Sequence, residues 1–334
     1  MKLLYITHKI NEDDDVFAFT SLWVQEFIKQ GFDTTVICFE KGTHTGDFTV
    51  YSCGKEQGKH KVQSVTEFWR LITTLEYDRV FAHMNPKFLM AGAWYWQLKG
   101  IPVYLWYTHP AMNAPLRMSP WLCKRMFTAT PTSMAEFDGN PKKVVIGHGI
   151  DMDFWDIDLK AAHERKPRHN LLSVHRISKT KRIHATVEAL ARLPEKYTLT
   201  IFGNVKEPEY FAELQSIIQK HNLQNRVKFC SAVRMDELKE IYNNYKIMLN
   251  FAEGTIDKTM LEAMAGGCNT ITTSENAQAI GLSSWPENLE PETLAQYILN
   301  LELQSPEAMR AIVQQKHSLP ALVEHMDGYI KDGS

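Results

Sequence analysis

Twice along this chain, short apolar runs alternate with segments of helical periodicity, and this repeated rhythm constrains the fold more than any other feature. In the first half the apolar run Leu3–Ile6 and an acidic turn, Asn11–Asp15, precede Phe19, Leu22, Trp23, Phe27 and Ile28. That spacing marks one helical face, which Gly31 ends before the β-rich Thr34–Phe39. The order continues with Arg79–Ala82 as strand, Lys87–Leu98 as helix stopped by Gly100, Pro102–Tyr107 as strand and Pro120–Phe127 as helix. A polar stretch, Asp156–Asn170, reads as a linker. Beyond it come strands at Asn170–Val174, Thr198–Phe202, Val227–Cys230, Ile247–Phe251 and Asn269–Thr273. Between them lie helices over Ile183–Leu193, Pro208–His221, Met235–Tyr242 and Lys258–Ala265. Short apolar strands separated by amphipathic helices predict parallel sheets covered on both faces. The expected class is α/β, two Rossmann-like domains facing across a cleft. The expected ranges are 1–165 for the first domain, 166–306 for the second, and 307–334 for a helical tail, broken at Pro320, that can return to the first. Ligands of such sheets sit at the C-terminal ends of the strands.

The chain's 334 residues suit two domains, and its 44% hydrophobic and 23% charged residues suit a water-soluble globular protein. A formal net charge of -2 argues against a nucleic-acid binder, which carries a basic excess. The five cysteines are scattered and form no CxxC, which favours reduced thiols in a cytoplasmic protein over disulfides or a zinc site. No run of 18 apolar residues occurs, and the apolar run at the N-terminus is too short for a signal peptide. GxGxxG, GxxxxGK[ST], HExxH and GxSxG are all missing, so a dinucleotide oxidoreductase, a P-loop enzyme, a zincin and an α/β-hydrolase lose their main support. The pairs Asp151/Asp153 and Asp156/Asp158 fall in a turn and the linker, where surface acids are ordinary.

Four segments carry chemistry. Ser173–Lys181 spans a strand end and a helix start, placing Arg176 and Lys181 to converge on one anion beside free helix N–H groups. The alternative is a solvated basic turn. Asn250–Gly267 delivers a loop and a helix whose first turn, from Lys258, offers N–H groups to a phosphate or sugar hydroxyl. Glu262 lies one turn in among small and apolar residues, where an unpaired acid is costly and a ribose diol is a fitting partner. Trp106–Pro110 puts His109 at a strand end, suited to charge stabilisation or a sugar hydroxyl, or to a structural role. In Val144–Asp151 the glycines suit a tight turn, and His148 and Asp151 read as local hydrogen-bonders.

Together these segments resemble glycosyltransferase family 4, the retaining nucleotide-sugar enzymes of GT-B fold. The match is an ordered series: Ser173-Val-x-Arg176-Ile…Lys181, Leu199-Thr-Ile-Phe-Gly203, Val227-Lys-Phe with Val233, and Leu261-Glu-Ala-Met-Ala-Gly-Gly267, preceded by the turn from Val145 to Phe154. The resemblance implies a nucleotide-diphosphate sugar, UDP or GDP, held mainly by the second domain. Arg176 and Lys181 would neutralise the diphosphate, Glu262 would bond the ribose, and backbone near Val233 and Arg234 would bracket the base. Gly203 and the loop residues Thr255, Ile256, Asp257 and Lys258 complete the expected donor site, and His109 would lie beside the donor sugar. The acceptor is a saccharide or a lipid-linked saccharide, and neither a metal nor another cofactor is implied. Other readings of the same site are a nucleotide-sugar-binding partner without turnover and an epimerase of the same fold.

Three positions depart from the family pattern. Gly254 stands where the first of two glutamates is usual, the first loop lacks a Gly-Gly pair, and Pro110 follows His109 where Asp is common. Composition also hides a local asymmetry. From Arg79 to Ala135 there is no Asp or Glu, while six Lys and Arg and seven Trp and Tyr occur. Basic and aromatic residues together suit an anionic membrane surface, so Met118–Phe127 is expected to help seat the protein at the inner face of a membrane, unless these aromatics fill the core instead.

Overall fold

A computed structural model describes residues 1–14, 16–109, 112–156, 165–254 and 256–332. The elements of the first half are β1 (Lys2–Ile10), α1 (Phe19–Lys29), β2 (Asp33–Lys41), β3 (Thr49–Ser52), α2 (Lys61–Thr74), β4 (Arg79–His83) and α3 (Pro86–Lys99). They are followed by β5 (Val103–Trp106), α4 (Ala114–Arg117), α5 (Ser119–Leu122), β6 (Arg125–Thr128) and β7 (Lys143–Val145). The second half holds β8 (Asn170–Val174), α6 (Ile183–Leu190), β9 (Thr198–Phe202), α7 (Pro208–Lys220), β10 (Val227–Cys230) and α8 (Met235–Asn244). Then come β11 (Ile247–Leu249), α9 (Lys258–Ala265), β12 (Asn269–Ile271), α10 (Ser274–Ile280), α11 (Pro291–Asn300), α12 (Pro306–His317) and α13 (Leu319–Asp332). Two compact units result: Met1–Asp151 with Ser318–Ser334, and Met152–His317. From sequence the second domain spans 166–306; in the structure its unit begins at Met152 and extends through α12.

The first sheet has seven strands in the order β3-β2-β1-β4-β5-β6-β7, and the second has five in the order β10-β9-β8-β11-β12. Every paired strand is parallel. In both sheets the order reverses beside the first strand, β1 or β8, which makes that strand's C-terminal end the switch point where doubly wound sheets bind ligands. The first sheet is sandwiched between two apolar layers. One holds Tyr5, Trp23, Phe27, Phe81 and Trp106, and the other Leu4, Phe68, Leu89, Trp96 and Leu105. The second sheet's core centres on Leu171, Val187, Leu199, Leu214 and Leu249.

Local signals explain the helix ends. α1 closes with Gly31 at φ +87°, where Phe32 N–H reaches Phe27 C=O and Gly31 N–H reaches Ile28 C=O, an αL termination that glycine permits without strain. α3 starts at Asn85, whose side chain accepts from Lys87 N–H, with Pro86 in its first turn.

Two expectations are corrected. The helix expected over Pro120–Phe127 ends at Leu122, and Arg125–Thr128 is a strand between β5 and β7. Met126, Phe127 and Thr128 are fully buried there, so tertiary pairing overrides the local helical spacing. The tail breaks at Ser318 rather than at Pro320, which sits in the first turn of α13, where its missing N–H costs nothing. α13 packs into the first unit: Leu322, Val323, Met326 and Ile330 join Trp23 and Phe27 in one buried cluster. No helix among the described residues is long and apolar enough to cross a membrane.

Candidate functional site

β8 and β11 are neighbours in the second sheet, so the segments that leave their C-terminal ends, 175–182 and 250–257, run side by side. A polar lattice ties them together. Lys181 Nζ lies 2.7 Å from Asp257 Oδ2, and Asn250 Nδ2 donates to the same oxygen at 3.1 Å. Asn250 Nδ2 also reaches Thr259 Oγ1 at 3.2 Å, and Thr259 donates to Val174 C=O at 3.0 Å. Glu253 N–H bonds Thr180 C=O at 3.0 Å, and Arg182 Nε approaches Glu253 Oε1 at 2.6 Å. Burial pushes the Asp257 carboxyl up. The Lys181 ammonium and the Asn250 amide outweigh burial and hold it below its ordinary value, so Asp257 stays ionised.

Asp257 occupies the N-cap position of α9, yet its side chain makes no capping bond. An Asp there ordinarily accepts from the second or third N–H of the helix. Drawn off by Lys181 and Asn250, it leaves the positive end of α9 without a carboxylate cap. One turn along, Glu262 is buried with Lys258 Nζ at 3.4 Å from Oε1. Burial raises its pKa, Lys258 opposes that, and the nearby Asp257 charge adds to the rise.

His175 sits in the same place and is 6% exposed. Ser173 Oγ donates to Leu249 C=O at 2.6 Å, so the 2.9 Å contact with His175 Nε2 assigns the imidazole proton to Nε2. Nδ1 is then a buried acceptor with no hydrogen-bond partner among the described residues. Burial pushes the His175 pKa down to about 4, keeping the ring neutral. Gly203 explains itself at this point. At φ +151° its missing Cβ would stand 2.0 Å from His175 C=O, so only glycine lets β9 end this close to the turn after β8.

The remaining expected residues are placed as follows. Arg176 is exposed and makes no hydrogen bond or ion pair among the described residues. Ile256 is buried, and Thr255 lies outside the described residues. Val233 and Arg234 follow a loop fastened by Ala232 N–H to Asn204 Oδ1 at 3.3 Å, and Arg234 Nε meets Asp236 Oδ1 at 3.2 Å. His109 belongs to the first unit, beyond the end of β5, exposed and edge-on to Tyr107 at 5.8 Å. Asn250, Thr259, Ser173 and His175 are the functional candidates that sequence reasoning passed over. Their signal was a polar residue beside or inside an otherwise apolar strand end. Among the described residues no three His, Cys, Asp or Glu side chains group as metal ligands do.

Residues 156–315 match the family Glycosyl transferases group 1. The match falls on the second half of the chain and takes in the whole second sheet. Comparison with curated proteins finds no match. Solved structures resemble the whole chain: Anabaena Alr3699/HepE in complex with UDP and glucose has a TM-score of 0.76 at 17% identity, covering 99% of each chain. Lipopolysaccharide outer core galactosyltransferase WaaB, apo form, scores 0.73 at 12% identity, covering 99% of this chain and 100% of that one. Sucrose-phosphate synthase from Thermosynechococcus elongatus scores 0.71 at 14% identity, covering 99% of this chain and 98% of that one. At such identities the likeness establishes the fold, which is GT-B. The matched region contains the whole polar lattice, from Ser173 to Glu262.

Proposed function

We propose that the protein is a retaining glycosyltransferase that moves a sugar from a UDP- or GDP-sugar to a saccharide or lipid-linked acceptor, in the cytoplasm and without a divalent metal. The observation that carries this reading is the lattice of the matched region, which brings Lys181 to the uncapped start of α9 and leaves Arg176 without a partner. A diphosphate is the anion such a cradle suits: a guanidinium, an ammonium and helix N–H groups supply the charge that a metal supplies elsewhere. The structural likeness to HepE, solved in complex with UDP-glucose, supports the same choice of ligand.

Each residue then has a task. Arg176 and Lys181 neutralise the diphosphate as it leaves, Lys181 sharing its ammonium between Asp257 and a phosphate oxygen. Glu262, already buried beside Lys258, accepts the ribose hydroxyls. Lys258 adds a phosphate contact. Backbone at Val233 and Arg234 brackets the base, Ile256 closes the pocket's apolar wall, and His109 bonds the donor sugar near its reacting carbon. The departing phosphate oxygen takes the acceptor's proton, so transfer with retention needs no carboxylate nucleophile.

Titration calorimetry with UDP- and GDP-sugars, followed by turnover assays and NMR of the product's anomeric configuration, tests this. Binding, turnover and a retained configuration are expected. Binding with neither hydrolysis nor transfer would make the protein a nucleotide-sugar-binding partner, and conversion of the free donor sugar would make it an epimerase.

A further inference from the structure

The first unit carries an apolar surface that the donor chemistry does not use. α3 carries apolar residues on both its inner and its outer side. Its inner residues Phe88, Leu89 and Trp96 are buried, while Met90, Trp94 and Leu98, four residues apart, form a stripe that faces outward. Trp94 is 51% and Leu98 77% exposed. α5 packs on α3 and adds Met118 and Trp121, the latter 75% exposed. α2 adds Trp69, whose indole N–H bonds Ala91 C=O at 2.8 Å and so locks its ring against α3. A monomer rarely leaves so many large apolar groups together in water.

Charge decides what covers them. Lys87, Lys99 and Lys124 are exposed on or beside this face and make no side-chain ion pair among the described residues. Glu67, Glu76 and Glu136 are already paired, with Arg70 at 2.6 Å, Lys2 at 2.7 Å and Arg117 at 2.9 Å. Unpaired lysines around tryptophan and leucine match a surface that is anionic outside and apolar beneath. Indole rings settle at the headgroup level, and each lysine adds attraction to acidic lipid. We propose that the face formed by α3 and α5 seats the protein on an anionic bilayer. This narrows the Met118–Phe127 segment expected from sequence, since Cys123, Met126 and Phe127 are core residues and its surface is made by Met118, Trp121 and Lys124. The seat does not depend on the transfer reaction.

Flotation with vesicles of phosphatidylcholine alone, and of one part phosphatidylglycerol to two parts phosphatidylcholine, tests the proposal on the full chain. Binding is expected only to the anionic vesicles and should fade as salt rises. The triple variant Trp94→Ala, Leu98→Ala, Trp121→Ala should bind about tenfold more weakly, and Lys87→Ala, Lys99→Ala, Lys124→Ala should abolish the salt dependence. All six side chains are exposed, so melting temperatures should hold. If the apolar variant misfolds, Leu98→Glu alone carries the same expectation of weaker binding. Equal binding to neutral vesicles, no binding to either, or a concentration-dependent dimer that the apolar variant breaks would each overturn the proposal, the last assigning the face to a second copy of the chain.

Discussion

The loop after β1 and the segment after β8 hold equivalent places, each leaving the switch-point strand of a parallel sheet, yet they handle charge in opposite ways. In the first unit the loop is closed on itself. Lys9 lies between Asp14 at 2.8 Å and Glu40 at 2.6 Å, Asn11 accepts from Thr43, and Glu12 accepts from Thr45. In the second unit Arg176 has no partner among the described residues, Lys181 leans on a single carboxylate, and that carboxylate has abandoned the helix it would cap. A site that satisfies its own charges is a scaffold, whereas one that keeps cations in hand is built for an anion. Among the described residues the second unit buries two histidines, His175 and His317, each with its pKa pushed down to about 4 by burial. The first unit buries one, His83, and His8 there is lowered but only partly buried.

The largest expected difference between the units is in acid. A histidine whose folded pKa is depressed adds nothing to stability above its ordinary value and destabilises as pH falls from there through the folded value. Between pH 6.5 and about 4 the second unit should weaken, on the order of 2 kcal/mol per buried histidine by pH 5. Glu262, raised by burial, works in the other direction. Amide hydrogen exchange read separately for each unit should show the second opening first; simultaneous opening would erase the contrast. Next is Gly203→Ala, which forces a Cβ against His175 C=O and should cost about 3 kcal/mol in urea unfolding, whereas the exposed Gly328 has room for one.

Arg176→Ala and Lys181→Ala should each cost about 1.5–3 kcal/mol of transfer, measured as kcat/KM for donor, with the unfolding midpoint unchanged for Arg176→Ala and lowered for Lys181→Ala, which strands the Asp257 carboxylate. Asp257→Asn should be milder, about 1 kcal/mol in donor kcat/KM, because Lys181 survives but loses its anchor. Wild-type Asp257 also contributes stability that is present above its ordinary value of 3.8 and lost as pH falls through its depressed value; the Asn variant should lack this loss. Smallest is Arg182→Ala. Its pair with Glu253 is largely exposed, so unfolding and turnover should both shift by less than about 1 kcal/mol.

How much of this was legible in the sequence follows from where each determinant acts. The central strands and α9 were plain because their apolar periodicity is local. α2 was missed because only Ser64, Phe68, Leu71 and Ile72 of its fourteen residues are buried. β3, with one buried residue in four, carries too thin a signal. β6 was misread because its pairing partners, at Tyr104 and Lys143, lie outside any local window. At the site, Lys181, Asp257 and Glu262 stood out by residue type and position. That Lys181 and Asp257 meet across 76 residues could not be seen, nor that Asn250 and Thr259 join them, since long-range contact rather than spacing creates the lattice.

The most direct test of the central claim is a crystal structure with UDP or GDP bound. The account predicts the diphosphate at the start of α9, within hydrogen-bonding distance of Lys181 Nζ and the Arg176 guanidinium, with the ribose at Glu262. A nucleotide bound in the first unit, or one in the second unit whose phosphates point away from Lys181 and Arg176, would contradict it.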